Sequence, residues 1–142
     1  MVMNRNNDKI AILIKRAELE TEKVQMPFLQ SHDLSVAQYK FLKYLYSAPQ
    51  DSVRIVDLEN AYSMTHPAVI DILKVLEKKG YTKRTVNPED ARSKIVSLTE
   101  KAYAKQKELE DLGDKMEEAV TRHLNAKEKK ELIVLLQKMM GD

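Results

Sequence analysis

Seven cations crowd one short stretch of this chain: Lys74, Lys78, Lys79, Lys83, Arg84, Arg92 and Lys94. Asp71, Glu77, Glu89 and Asp90 partly offset them. Ammonium and guanidinium groups at this density suit a polyanion, and a guanidinium on a protruding loop can enter a narrow DNA minor groove, where negative potential is strongest. Asp90, two residues before Arg92, can pair with Arg92 or with Arg84 and hold such a loop in shape. A charge cluster alone more often marks a solvated face, so the elements that position these residues must decide.

Other chemistry is thinly supplied. There is no Cys, which excludes disulfides, thiolate catalysis and thiol-based sensing. His32, His66 and His123 stand far apart, outside any metal-ligand spacing. Ser31, His32 and Asp33 are neighbours in a loop, whereas catalytic triads assemble in space. No Gly-rich phosphate loop, nucleophile elbow or His-Glu-x-x-His helix occurs. We therefore expect no enzyme and no cofactor. A net charge of +2 means that any basic surface must come from local clustering. The first apolar stretch is interrupted by Lys15 and Arg16, too soon for a leader or a membrane span, so a cytoplasmic protein is expected.

With 43% apolar residues, 3 Gly and 4 Pro, the composition predicts a helix-rich chain with a sizeable core. Residues 8–29 repeat apolar side chains at helical spacing, with Pro27 blurring the end. Ser35 and Gln38 form a capping-box pair at the head of a helix to Ala48, whose stripe is Tyr39, Leu42, Leu45 and Tyr46. Val53 to Tyr62 is a short helix with Ile55, Leu58 and Ala61 inward. After a brief polar turn, Pro67 sits in the first turn of a helix running to Lys79, with Val69, Ile72, Leu73 and Leu76 inward and Gly80 as its stop. Tyr81–Val86 and Lys94–Leu98 read as a hairpin around Asn87-Pro88-Glu89-Asp90. Thr99 caps a long helix to about His123, and Asn125 with Glu128 starts a last one bearing Leu132, Ile133, Leu135, Leu136, Met139 and Met140.

The expected fold class is mostly α with a small β-hairpin. Three short helices and a hairpin follow the winged helix-turn-helix plan, which lays the third helix in a DNA major groove and sets the hairpin on backbone or minor groove. Specific residues sharpen this. Leu76-Glu77-Lys78-Lys79-Gly80-Tyr81, Arg84, Asp90-Ala91-Arg92 and Val96-Ser97-Leu98-Thr99 resemble the recognition helix and wing of the MarR family. The resemblance extends over most of the chain. It implies a winged-helix DNA-binding lobe at 31–99, a dimerisation helix at 1–30 and C-terminal dimerisation helices at 100–142. It also implies a homodimeric transcriptional regulator, a repressor, on a pseudo-palindromic operator with half-sites roughly 10 bp apart. The implied DNA-binding set is Thr65, His66, Pro67, Ala68, Ile70, Asp71, Lys74 and Lys78 from the helix, and Arg84, Asp90, Arg92 and Lys94 from the wing, with Arg92 in the minor groove.

The chain departs from the family at two places. Ile70 and Asp71 stand where Ser or Thr followed by Arg is common. Asp71 repels phosphates yet can accept from cytosine N4, and Ile70 and Ala68 can touch thymine methyls. Ala102 replaces a usual Gly, so a continuous helix is expected there. MarR-type proteins often answer to aromatic or phenolic effectors, for which Tyr39, Tyr46, Phe28 and Met26 are candidate lining residues. The rival reading is a protein-interaction module on a winged-helix scaffold that does not bind DNA, motivated by Asp71 and the near-neutral charge.

Overall fold

The computed structural model describes residues 9–142, so the start of the expected N-terminal segment, residues 1–8, lies outside the described residues. Contacts gather the chain into two units. One comprises the described residues up to Phe28 together with Leu112–Asp142, and the other is Leu29–Asp111.

In the second unit, helix α1 (Ile10–Gln30) delivers its last turn. The helix continues through Pro27, which removes one amide donor only three residues before the end. Leu29, 1% exposed, anchors that turn, and its carbonyl accepts from the His32 and Leu34 amides at 3.0 and 3.2 Å. Helix α2 (Val36–Ser47) opens on the expected capping box. The Gln38 amide donates to Ser35 Oγ and the Ser35 amide to Gln38 Oε1, both at 3.1 Å.

Val53 does not begin a helix as expected. Val53–Arg54 is a short strand, β1, and helix α3 runs Ile55–Tyr62. The Arg54 amide donates to Asp57 Oδ2 at 2.8 Å, which fixes the helix start after Arg54 and leaves Val53 to pair in a sheet. Burial opposes it, but hydrogen bonds and charge from Arg54 hold the Asp57 carboxyl below its ordinary range. Ala61 is exposed, not inward. Tyr62 takes the inward place beside it: its ring stacks on Phe41 with centroids 5.7 Å apart, and its hydroxyl donates to the Lys40 carbonyl at 2.8 Å.

Helix α4 (His66–Lys78) is capped by Thr65, whose Oγ1 accepts from the Ala68 amide at 3.4 Å. Val69, Leu73 and Leu76 have no exposed surface, while Ile72 is half-buried. Gly80 takes a φ of +84°, and the Tyr81 amide reaches back to the Leu76 carbonyl at 2.9 Å, turning the chain into the wing. The wing is β2 (Thr82–Asn87) against β3 (Asp90–Leu98), and β3 also pairs with β1. The sheet therefore has three strands, not the two of a hairpin alone. Asn87 pairs with Asp90 across a two-residue turn, so β3 begins at Asp90, four residues before the expected Lys94.

The expected continuous helix after Thr99 is divided. Helix α5 (Glu100–Ala104) and helix α6 (Gln106–Val120) meet at Lys105. Ala102 favours helix, but its carbonyl accepts the Tyr46 hydroxyl and, at 3.1 Å, the Lys105 amide. A continuous helix needs that carbonyl for the Gln106 amide, so the inserted hydroxyl accounts for the break. In the first unit, Leu112 and Met116 on α6 are buried. There helix α7 (Ala126–Met140) starts with a second capping box, Asn125 and Glu128.

Burial, followed by the phenols of Tyr81 and Tyr103 and the carboxylate of Glu110, pushes Tyr46 up to about 12. Between pH 10 and 12 the unfolded chain therefore ionises this phenol while the fold keeps it protonated, and stability falls as pH rises. We expect Tyr46→Phe to cost about 1 kcal/mol at neutral pH for the lost hydrogen bond. The variant should also flatten the alkaline decline in urea-unfolding midpoint and remove the highest-pH phase from a tyrosine absorbance titration.

Candidate nucleic-acid interface

The burial of Val69, Leu73 and Leu76 dictates what α4 shows outside. His66, Pro67, Asp71, Lys74 and Lys78 are exposed, and Ala68 and Ile70 are half-exposed at the edges of that face. Thr65 is exposed, and its hydroxyl serves the cap. His66 Nδ1 lies 3.1 Å from Glu59 Oε2, which ties the first residue of α4 to helix α3. Among the described residues, Asp71 has no ion-pair partner. Val75, 38% exposed, sits one helical turn beyond Asp71 and was missed. The four-residue step from Asp71 was the available signal, and its aliphatic type hid it.

The wing holds its cations in two ways. Arg84 does not pair with Asp90. It points back to α4, where its Nε donates to Glu77 Oε1 at 2.5 Å and its second nitrogen lies 3.4 Å from Oε2. Both side chains are about a quarter exposed, and the pair ties β2 to α4. This fork makes Arg84 a clamp on the wing's angle and leaves fewer of its donors for another partner. Arg92 is different. Its side chain is 95% exposed at the wing tip. Its amide donates to Asp90 Oδ1 at 3.0 Å and its Nε lies 3.7 Å from the same oxygen. Asp90 thus shapes the turn while the guanidinium stands in solvent. Lys94 is exposed further along β3, and Lys83 and Val86 are exposed on β2.

The geometry therefore assembles an outward helix face and a projecting arginine on one three-stranded scaffold. Such a pair of elements can lie in adjacent grooves of a duplex. No helix among the described residues is long and apolar enough to cross a membrane.

Tyr39 and Tyr46, considered for an effector pocket, border a space of about 20 Å³ with Leu109 and Glu110, room for about one water. Phe28 is half-buried and Met26 exposed, both in the other unit. His32 Nδ1 lies 3.6 Å from Glu108 Oε1, and His123 is exposed.

Comparison with known proteins agrees with this geometry. A family model described as "Transcriptional regulator SarA/Rot" matches residues 23–109. A mutant MarR from E. coli complexed with operator DNA is 27% identical, with 96% of this chain and 99% of that one covered, at a TM-score of 0.83. MepR from S. aureus, in a complex with DNA, is 26% identical over 94% of this chain and 97% of that one, at 0.80. A probable transcriptional regulator from Pseudomonas aeruginosa shares the fold at 20% identity and 0.83, with 95% and 99% covered.

For the clamp, a double-mutant cycle of Glu77→Ala and Arg84→Ala should give a coupling of about 1 kcal/mol in urea unfolding, the upper end for partly exposed pairs. Additive single-mutant losses would show that the contact does not hold the wing.

Proposed function

The chain belongs to the SarA/Rot family of transcriptional regulators and has the MarR-type winged-helix fold, and from that premise we propose that it is a homodimeric, sequence-specific DNA-binding regulator acting as a repressor in the cytoplasm, and not an enzyme. The single observation that carries this reading is the projecting Arg92, 95% exposed, on a wing fixed beside an outward-facing helix. MarR and MepR, which share the fold, have been seen on DNA. In this reading Pro67, Ala68, Ile70, Asp71, Lys74 and Lys78 face the major groove. Thr65 and His66 sit at its edge, Arg92 enters the minor groove, and Lys94 meets backbone phosphates. Asp90 and Arg84 hold the wing.

Dimerisation is supported by an uncovered apolar face. Ile10, Leu13, Ile14, Leu132, Ile133 and Leu136, all within one unit, border a groove of about 550 Å³. Ile133 is 55% and Leu135 58% exposed, an amount of apolar surface that favours a partner. A second copy related by a two-fold axis would present two recognition helices to half-sites roughly 10 bp apart. An aromatic or phenolic effector would shift the population between DNA-competent and incompetent dimers. With only about 20 Å³ open beside Tyr39 and Tyr46, it would select a conformer in which the Tyr46 hydroxyl has left the Ala102 carbonyl.

Fluorescence anisotropy with the upstream intergenic DNA, at two salt concentrations, tests the reading. Binding should weaken steeply with salt through counterion release, and Arg92→Ala should cost about tenfold, the order of a single base-edge or groove contact. Salt-insensitive behaviour with no preference over random DNA, after a random-sequence selection has also failed, would favour the interaction-module reading instead. Sedimentation should show two chains per particle for the wild type, and Leu136→Asp should shift it toward one.

A further inference from the structure

At the base of the wing, opposite the tip, lies a cleft of about 400 Å³ inside the Leu29–Asp111 unit. Lys79, Lys101, Lys105 and His32 line it, with Asp33 and Glu108 as its acidic members. We propose that this cleft is a binding site for a small multivalent oxyanion, a phosphate or polycarboxylate group carried by a metabolite.

Two of the three ammonium groups, those of Lys79 and Lys101, are held in place chiefly by groups that do not neutralise them. Lys79 Nζ donates to the Asp33 carbonyl at 2.5 Å and to Gln38 Oε1 at 2.9 Å. Its nearest carboxylate oxygen is 3.8 Å away, on an Asp33 side chain that is 94% exposed, where a pair contributes little. Lys101 Nζ donates to the Lys79 carbonyl at 2.6 Å and lies 4.7 Å from the centre of the Tyr81 ring. Lys105 is half-buried and has no ion-pair partner among the described residues. Glu108 is the counterweight. It lies 3.6 Å from His32 Nδ1 with its side chain 58% exposed, and it can swing into water. Neutral acceptors thus fix two cations before any ligand arrives, which lowers the ordering cost of binding. Lysine ammoniums act as separate point charges and not as a planar fork, so they favour an anion with several charged oxygens over a single carboxylate.

A duplex phosphate is the less suitable occupant. The ladder runs from Asn87–Asp90 at the tip to Thr82–Leu98 at the base. Five steps at roughly 3.3 Å place the cleft about 16 Å from the wing tip. An anion held here would bind the free protein, whether or not the protein binds DNA.

Thermal unfolding of the whole protein would be followed in sodium phosphate, in sodium citrate and in sodium chloride at equal ionic strength. We expect a saturable rise in Tm with phosphate, citrate or both, as linkage to a folded-state site requires. Lys101→Gln/Lys105→Gln should keep its Tm in chloride within a few degrees and lose the saturable rise, and Glu108→Gln should reach saturation at several-fold lower anion concentration. Excluded salts also stabilise proteins, but without saturation and without regard to these residues. A linear rise shared by the variants would overturn the proposal. So would a wild-type protein that shows no anion effect at all; if the double variant then binds duplex DNA many-fold more weakly, the cleft is a backbone contact.

Discussion

The outward chemistry of this protein depends on three side chains that have no exposed surface. Val69, Leu73 and Leu76 commit one face of α4 to the lobe's core, alongside Leu42 and Leu58, which are equally buried. Each such burial contributes about 1.5–3 kcal/mol, so rotating the helix about its axis is prohibitive. The opposite face, with Pro67, Asp71, Lys74 and Lys78, has no freedom to turn inward. The wing inherits its position from the same helix. Gly80 reverses the chain at a left-handed φ, and Glu77 and Arg84 bridge helix and strand. Arg92 projects because everything behind it is pinned.

Polar contacts at the far end of the lobe finish the arrangement. Lys79, at the end of α4, reaches the loop after α1 and the head of α2 through Asp33 and Gln38. The Thr99 hydroxyl donates to the Gly80 carbonyl at 2.5 Å, and the Thr99 amide to the Tyr81 carbonyl at 3.0 Å. The exits of the wing and of α4 are thereby stitched together. Tyr46 then takes the Ala102 carbonyl out of the helical ladder, so the chain leaves the wing by a short helix and a joint.

Much of this was legible in the sequence because it rests on local rules. The capping boxes at Ser35 and Asn125, the Thr99 cap, Pro67 in a first turn and Gly80 as a stop all depend on single residues or on residues three apart. The apolar stripe of α4 was readable for the same reason. What escaped needed partners distant in the chain. β1 exists only because Val53 and Arg54 meet Val96 and Ile95. The break at Lys105 comes from a tyrosine more than fifty residues earlier, and no local propensity of Ala102 could foretell it. Asp90 was the carboxylate that the sequence offered Arg84, and the fold brought it to Glu77 instead. The exposed face of α4 and the wing tip were readable as such, while Val75 escaped because an aliphatic side chain at that spacing reads as core.

In the proposed function, one face of α4 and the wing tip together form the surface that meets DNA. Amide chemical-shift mapping of isotope-labelled protein with a selected duplex tests it most directly. The largest changes should cluster at residues 65–78 and 87–94, with the cleft around Lys101 and Lys105 little affected. Changes concentrated elsewhere, with α4 and the wing tip silent, would contradict it.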